Sequence, residues 1–264
     1  RIDHPEETGQ IVLWTLGEAH ADLVLDRIRT RYGVAVDAIE VRAPMRETFA
    51  AASTGNGRLV KQSGGHGQYA VVDIMVEPLA PGAGFEFVDK IVGGAVPRNF
   101  IPSVEKGIRH QMALGVAAGY PVVDIKVTLV DGKFHTVDSS EMAFKMAGIL
   151  GFKEGMRQGA PILLEPIMKV EVTTPEEYMG DVIGDLSSRR AKIEEMTQKG
   201  NVKAVHGHVP LSEMFGYATA VRSLSQGRAT YMMEPAYYQE VPKAFAEKVV
   251  KGAQSTNKPA RTTR

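Results

Sequence analysis

The residues of this sequence that could bind another molecule fall into two groups. The first group lies in two short segments, and its members are Gly64, Gly65, His66, Gly67, Gln68, Tyr69, Lys133 and His135. Glycine lets the backbone approach another molecule closely, while amide, ammonium and imidazole groups form hydrogen bonds. From spacing alone, the glycine segment is either a plain hairpin tip or a flexible tip that approaches a ligand.

The second group is Arg189, Arg190 and Lys192, which follow a predicted helix. Cations are favoured at a helix C-terminus by the helix dipole, and the same side chains also bind phosphate. The spacing favours a solvated helix end over a phosphate contact.

Two patterns near the histidine segment indicate chemistry only weakly. His135, Asp138 and Glu141 do not place three metal ligands on one helical face if Asp138 caps the helix, and structural zinc sites use four ligands. Ser139 and Ser140 lie close by, but the sequence has no G-x-S-x-G motif of a hydrolase. A helix start explains the two serines better.

The remaining candidates predict no catalytic machinery. His206 and His208 alternate along a predicted strand, which fits two half-exposed residues on one sheet face better than a two-histidine metal site. The sequence has no G-x-x-x-x-G-K-[ST] segment, and the glycines at 64–67 precede a strand rather than a helix. We therefore predict no catalytic residue, no cofactor site and no metal site.

Hydrophobic periodicity predicts the elements that position these residues. In the first segment it predicts a strand at 11–14, a helix at 21–32 closed by Gly33, and a strand at 34–41. In the middle segment it predicts a strand at 68–77, a helix at 103–115, a strand at 122–130, a tight turn at Asp131-Gly132, and a helix from the cap Asp138 to about 157.

The third segment has the order strand, helix, strand, strand, helix, strand. Its predicted elements are 162–173, 174–188, 191–198, 202–209, 210–227 and 228–234. Thr174 is the expected cap of the first helix, with Pro175 at the first helical position. This order is that of a ferredoxin-like βαββαβ domain. The fold class predicted is α+β with several domains.

Composition excludes several classes of protein. The 264 residues carry 31 basic and 31 acidic side chains, unlike a strongly basic non-specific nucleic-acid binder. Cysteine is absent, which excludes disulfides and thiolate sites. No apolar run reaches the length that spans a membrane. Residues 253–264 are predicted to form a disordered basic tail. The chain lacks an initiator Met, so we expect a fragment of a longer protein.

Longer motifs resemble translation elongation factor G. They are Lys61–Tyr69, Val92-Gly93-Gly94 with Ile101-Pro102, Gly119–Asp124, Phe134–Lys145, Leu164–Met168, Thr174–Leu186 and Pro210–Thr219. The matches are collinear and cover about Glu7 to Gly252.

This resemblance implies domain identities. Residues 1–50 resemble the second half of domain III, a truncated ferredoxin-like unit. Residues 51–160 resemble domain IV, a ribosomal-protein-S5-like domain, and residues 161–252 resemble domain V, which is ferredoxin-like. The matched segments do not include the family's GTPase domain, so GTP with Mg²⁺ is not an expected cofactor of this chain, and no GTPase activity is expected from it alone.

The resemblance also implies a function. Domain IV of the family is an arm that enters the decoding A site of the small ribosomal subunit during translocation of tRNA and mRNA. Its tip is matched here by Gly64–Tyr69 and by residues 131–136, with Gln68 and His135 as the matched polar residues. The implied partners are the ribosome with its 16S and 23S rRNA, tRNA and mRNA, and the implied location is the cytoplasm. Arg189 and Arg190 are candidates for a contact with 23S rRNA, and a monomer is expected.

Three departures from the family pattern keep an alternative open. His66 stands where the family usually has Arg, Ala70 replaces a usual Gly, and residues 17–21 read Gly-Glu-Ala-His-Ala instead of Gly-Glu-Leu-His-Leu. The alternative is a divergent paralogue that acts mainly in ribosome recycling, with recycling factor as a partner, or in ribosome protection.

Overall fold

The computed structural model describes residues 1–4, 8–15, 17–61, 67–200 and 202–256. The chain divides into two compact units. The first unit comprises Arg1–Pro44 with Glu165–Gln239, and the second comprises Met45–Leu164 with the segment from Glu240 onward. Both contain helices and strands, which confirms the predicted α+β class.

The elements alternate along the chain. Up to residue 100 they are β1 (Ile2–Asp3), β2 (Val12–Leu13), α1 (Glu18–Tyr32), β3 (Arg46–Phe49), β4 (Ser53–Lys61), β5 (Gln68–Pro78) and β6 (Phe85–Asp89). They continue with α2 (Ile101–Leu114), β7 (Ile125–Lys133), α3 (Glu141–Gln158), β8 (Pro161–Pro175) and α4 (Met179–Ser188). The last are β9 (Lys192–Lys199), β10 (Val202–Pro210), α5 (Leu211–Met214), α6 (Tyr217–Leu224), β11 (Thr230–Glu240) and α7 (Lys243–Thr256).

The second unit is built on a four-stranded sheet in the order β4-β5-β7-β6. β6 and β7 are parallel, as the crossover through α2 requires, and the other pairs are antiparallel. One face of β5 buries Val72, Ile74 and Val76 against Phe144 and Phe152 of α3. The alternation of buried residues along β5 follows from the two-residue period of a strand.

Glycines allow α3 to lie directly against β4. A Cβ at Gly55 would collide with the carbonyl oxygen of Gly151, and one at Gly57 would collide with that of Ala147. Both obstacles are backbone atoms, which side-chain rotation cannot move aside. The strand therefore needs glycine at both positions, which is otherwise unfavourable inside a strand.

Glu47 is a fully buried carboxylate in β3 of the second unit. Its Oε2 accepts hydrogen bonds from Val116 N at 2.6 Å and Ala117 N at 2.8 Å. Its Oε1 accepts from Ala118 N at 2.7 Å and Tyr120 N at 3.1 Å. Four backbone donors compensate the loss of water around the charge and fix the loop between α2 and β7.

The first unit contains the ferredoxin-like arrangement that the sequence predicts. From Glu165 onward, β8 lies between β10 and β11, and the sheet order is β11-β8-β10-β9. The chain order β8-α4-β9-β10-α6-β11 confirms the βαββαβ prediction. The core between sheet and helices includes Val172, Val205, Leu186 and Tyr217.

The N-terminal part of the first unit differs from its prediction. β1 and β2 pair, α1 forms, and Gly33 closes the helix in the left-handed conformation at φ 66° as expected. The strand predicted at residues 34–41 is wrong, because no ladder forms there within the described residues. The buried side chain of Gln10 instead bonds this segment, donating to Glu40 O at 2.9 Å and accepting from Arg42 N at 2.8 Å.

One predicted helix start is wrong, and one predicted helix is interrupted. Thr174 and Pro175 belong to β8, because they pair with Lys203 and Val202 of β10. A 3₁₀ turn over Glu176–Tyr178 then leads into α4. The single helix predicted from Pro210 is divided into α5 and α6, with Gly216 in the left-handed conformation at φ 76° between them.

The turn predicted at Asp131-Gly132 is also wrong. Both residues continue β7, where Asp131 pairs with Asp73 and Gly132 with Val72. A β-bulge beside Asp131 leaves Val130 outside the register with β5, and the strand continues to Lys133.

The end of the chain differs from the predicted disordered tail. Residues 253–256 belong to α7, so the prediction is wrong for them. The rest of that segment, residues 257–264, lies outside the described residues.

Candidate functional site

The predicted site residues meet at one end of the second unit, which we call the tip. The start of β5 supplies Gly67, Gln68 and Tyr69, and the end of β7 supplies Lys133 with His135 just beyond it. Antiparallel pairing of β5 with β7 brings the two segments side by side, with Val71 opposite Lys133. The predicted site residues 64–66 lie outside the described residues.

Hydrogen bonds join the two tip segments. Gly67 N donates to Asp138 Oδ1 at 2.9 Å, and Tyr69 N donates to the Asp138 carbonyl at 2.9 Å. Ser139 Oγ donates to the Tyr69 carbonyl at 2.7 Å. The partners are about 70 positions apart in the chain, so these bonds hold the tip as a tertiary structure rather than as two independent loops.

The main chain and ring of His135 are held in place. Its amide donates to Ser139 Oγ at 2.9 Å, and its Nδ1 accepts from Val137 N at 3.3 Å and Asp138 N at 3.2 Å. The ring centroid lies 6.1 Å from that of Tyr69. The side chain remains 51% exposed.

Two contacts at Nδ1 favour different protonation states. Asp138 Oδ2 lies 3.2 Å from Nδ1, which suits a protonated ring, whereas the two amide donors need an unprotonated Nδ1. The amides meet hydrogen-bond geometry, so we assign the neutral ring with its proton on Nε2. In this tautomer the ring offers a donor on the side away from Asp138.

The outer surface of the tip suits recognition rather than bond chemistry. Gln68, Lys133 and His135 are exposed and offer hydrogen bonds, and Phe134 and Val137 are exposed apolar neighbours. Amide, ammonium, imidazole and aromatic groups in an exposed loop match the polar edges and faces of single-stranded RNA bases and sugars.

The serines of this region take structural roles. Ser140 is the N-cap of α3, and its Oγ accepts from Ala143 N at 3.2 Å, whereas Asp138 was the predicted cap. Asp138 does not cap the helix because its carboxylate accepts a hydrogen bond from Gly67 N instead. A helix start therefore does explain Ser140, as the sequence indicates.

The weaker metal candidates His206 and His208 each face one carboxylate of the first unit. Among the described residues, no group of three His, Asp or Glu side chains is placed to hold a metal ion. His206 lies 3.8 Å from Glu171 and His208 lies 3.1 Å from Glu194, both measured from Nδ1 to a carboxylate oxygen. The His208 contact does not meet hydrogen-bond geometry, so its Nδ1 has no hydrogen-bond partner within the described residues.

Arg189 and Arg190 form an internal network in the first unit. Arg190 makes a two-bond contact with Glu165, both N–O distances being 2.8 Å, and a third bond to Glu213 at 3.0 Å. Arg189 donates to Asp185 at 2.8 Å and to the Glu213 carbonyl at 2.6 Å. The hydrogen bonds that Arg190 donates to Glu165 raise the pKa of its guanidinium group.

This network corrects the sequence interpretation. The spacing offered a solvated helix end or a phosphate contact, but the structure turns both guanidinium groups inward. Arg190 also takes a left-handed backbone conformation, φ 62°, which places its side chain at the cluster. Both arginines therefore have a structural role, and their candidate contact with 23S rRNA stays a prediction.

Sequence reasoning missed the residues that brace the tip. It assigned Asp138 to a helix cap and Ser139 to a helix start, and no local signal links either residue to Gly67 or Tyr69. Only the pairing of β5 with β7 reveals the connection.

Comparison with known proteins identifies the family. Three family models match: Elongation Factor G, domain III at residues 1–40; Elongation factor G, domain IV at 42–160; and Elongation factor G C-terminus at 162–249. The chain belongs to the elongation factor G family, in which it corresponds to these C-terminal domains.

Individual relatives agree with the family models. Elongation factor G of Aquifex pyrophilus is 52% identical over 244 residues, 92% of this chain and 35% of that protein. The Elongation factor G-like protein of Mycobacterium tuberculosis (strain CDC 1551 / Oshkosh) is 55% identical over 254 residues, 96% of this chain and 36% of that protein. The chain thus spans about a third of the length of these curated relatives.

A solved structure shares the fold. A crystal structure of a protein from Thermus thermophilus matches with a TM-score of 0.84 and 38% sequence identity, over 97% of this chain and 38% of that one. Within the described residues, no helix is both long and apolar enough to cross a membrane.

Proposed function

We propose that this chain is the ribosome-binding C-terminal portion of an elongation-factor-G-like translational GTPase. In this function the tip enters the decoding A site of the small subunit and promotes translocation of tRNA and mRNA. Its partners are 16S rRNA and the tRNA–mRNA pair at the tip, and 23S rRNA and ribosomal proteins elsewhere. The protein acts as a monomer in the cytoplasm. In this proposal GTP with Mg²⁺ binds in the GTPase domain of the full-length protein; the present sequence contains no G-x-x-x-x-G-K-[ST] segment.

The observation that carries the proposal is the braced tip with its exposed polar groups. Gln68, Lys133 and His135 face outward from a backbone that is fixed by hydrogen bonds on the inner side. A prearranged set of donors loses little conformational entropy on binding. The near-zero net charge of the chain fits an arm that leaves its RNA partner after each cycle, because tight non-specific RNA binders are strongly basic.

The test is the variant His135→Ala in the full-length factor. Loss of one hydrogen bond in the transition state is expected to slow translocation about tenfold, with GTP binding unchanged. Rapid-mixing measurements of translocation on programmed ribosomes give the rate. The matched control is His110→Ala, which removes an exposed histidine from α2 of the same unit. A normal translocation rate for His135→Ala would contradict the role of this residue.

A second candidate function is ribosome recycling or ribosome protection by a divergent paralogue. It is favoured by the 55% identity to a relative that is named Elongation factor G-like protein and by the departures at His66 and at residues 17–21. The departure at position 70 does not favour it. Ala70 is fully buried in the core of the second unit, so its extra methyl group packs inside and does not alter the tip surface.

The two candidates predict different activities of the full-length protein. A translocase moves tRNA and mRNA at a rate typical of elongation factors without recycling factor. A recycler moves them slowly and splits ribosomes into subunits only when recycling factor is added. Measuring both reactions on one ribosome preparation, with light scattering for subunit splitting, separates them.

A further inference from the structure

We infer that Asp138 is the positioning residue of the tip, which holds the segment that begins at Gly67 through its carboxylate and the ring of His135 through its main-chain amide. This inference rests on the proposed function, because it concerns how the tip presents its hydrogen-bond donors to RNA. Asp138 does not itself face outward, since its side chain is only 16% exposed.

The carboxylate of Asp138 lies between the two tip segments. Oδ1 accepts from Gly67 N at 2.9 Å, and Oδ2 lies 3.2 Å from His135 Nδ1. A Cβ at position 67 would lie 3.1 Å from Asp138 Cγ and 3.0 Å from the Lys61 carbonyl oxygen, which is tighter than ordinary packing. Glycine at position 67 is therefore needed for this close approach rather than for a special backbone angle.

The main chain of Asp138 adds two more contacts. Its amide donates to His135 Nδ1 at 3.2 Å, and its carbonyl accepts from Tyr69 N at 2.9 Å. One residue thus contacts both segments through its side chain and through its backbone. Displacing it would release Gly67, Tyr69 and His135 together.

The consequence for recognition follows from the tautomer. With Nδ1 occupied by amide donors, the neutral ring carries its proton on Nε2, and among the described residues the hydrogen bonds and ionic contacts of this ring involve Nδ1. An Nε2–H group donates to phosphate, ribose or base oxygens of RNA. The opposite tautomer would present an acceptor, which cannot bind a phosphate oxygen because that oxygen is itself an acceptor.

The first experiment is nuclear magnetic resonance of this chain with ¹⁵N-labelled histidine, at a pH where His135 is neutral. The wild-type signal of His135, assigned with His135→Gln, is expected to show the Nε2–H tautomer. In Asp138→Ala the loss of the bond to Gly67 N is expected to displace the loop that carries the Val137 and Asp138 amides. We therefore expect at least tenfold faster hydrogen exchange of the Gly67 amide and, as those amides leave Nδ1, a mixture of tautomers. Asp138→Asn keeps an oxygen that can accept from Gly67 N, so it is expected to restore most of the protection.

The matched control is Asp73→Ala in the same unit. Asp73 accepts a hydrogen bond from Asn56 Nδ2 at 2.6 Å between β4 and β5. It takes part in none of the hydrogen bonds described above that join the two tip segments. Its removal should leave both His135 tautomer and Gly67 exchange unchanged. An unchanged tautomer and unchanged exchange in Asp138→Ala would overturn the inference. Asp138→Leu, which keeps the bulk of the side chain but offers no oxygen to Gly67 N, provides the same test if the alanine variant does not fold.

The second experiment separates this inference from the proposed function. Asp138→Ala in the full-length factor is expected to slow translocation at least as much as His135→Ala. If the tautomer and the exchange change in the chain while translocation stays normal, Asp138 does position the tip, and the proposed role of the tip in translocation is wrong.

Discussion

The tip and the arginine cluster are both dense groups of polar side chains, but they use their hydrogen bonds in opposite ways. At the tip, Asp138 and Ser139 bond mainly to backbone amides and carbonyls, and side chains such as Gln68 and Lys133 stay exposed. At the arginine cluster, Arg190 bonds to the carboxylates of Glu165 and Glu213, and these charges satisfy one another.

This difference separates a recognition surface from a structural one. Charged groups that are already paired and partly buried would have to leave their partners before they could bind phosphate, and that exchange is unfavourable. Groups that face water on a fixed backbone bind without such a loss. A cluster of polar residues in a sequence therefore says little about binding until their internal partners are known.

The largest expected effect comes from breaking the arginine cluster. Arg190→Ala leaves the Glu165 carboxylate, which is 4% exposed, without its two-bond partner. We expect a loss of about 3–5 kcal/mol in the free energy of unfolding of the C-terminal ferredoxin-like domain. Urea titration, with hydrogen exchange to resolve the domain, measures this loss.

The matched control for that variant is Arg228→Ala. Arg228 also pairs with a glutamate, Glu177, but the two side chains are 52% and 58% exposed. An exposed pair contributes about 0–1 kcal/mol. If the two alanine variants lose equal stability, the distinction between a buried structural cluster and a solvated pair is wrong.

A smaller effect is expected from Ser139→Ala at the tip. This change removes the bond from Ser139 Oγ to the Tyr69 carbonyl and the bond it accepts from His135 N. Water can reach this half-exposed site, so we expect only about 1 kcal/mol of destabilisation, together with faster hydrogen exchange of His135. Ser140→Ala, which removes the cap of α3 instead, should leave His135 exchange unchanged.

The smallest effect at neutral pH is expected from Tyr217→Phe beside the cluster. The Arg189 guanidinium lies 5.0 Å from the Tyr217 ring centroid, and the buried hydroxyl makes no hydrogen bond within the described residues. Removing a hydroxyl without a partner is expected to be neutral or slightly stabilising at pH 7.

The Tyr217 hydroxyl affects the free energy of unfolding at alkaline pH. Burial raises the pKa of Tyr217 in the folded protein, so its contribution to stability is present below the unfolded pKa of about 10. That contribution declines as the pH rises above about 10, because the unfolded state then releases the proton first. Tyr217→Phe should show a weaker loss of stability in this range; equal pH dependence in both proteins would contradict it.

Much of the fold was predictable because its signals are local. Periodicity placed β5, α2, α3, β9 and β10 close to their observed bounds, and the βαββαβ order of the C-terminal domain followed from it. The errors lie where pairing overrides a local signal. Thr174-Pro175 has the residues of a helix start but is held in β8 by β10, and Asp131-Gly132 has those of a turn but pairs with β5.

The sequence by itself determined the family, the class of fold and the tip residues Gly67, Gln68 and His135, because motifs and periodicity are properties of neighbouring residues. Only the tertiary structure decided which hydrogen-bond partners hold the polar residues in place. The bond from Gly67 to Asp138 spans 71 positions, and that from Arg190 to Glu165 spans 25. Local spacing carries no information about such partners, since strand pairing and packing bring them together only when the chain has folded.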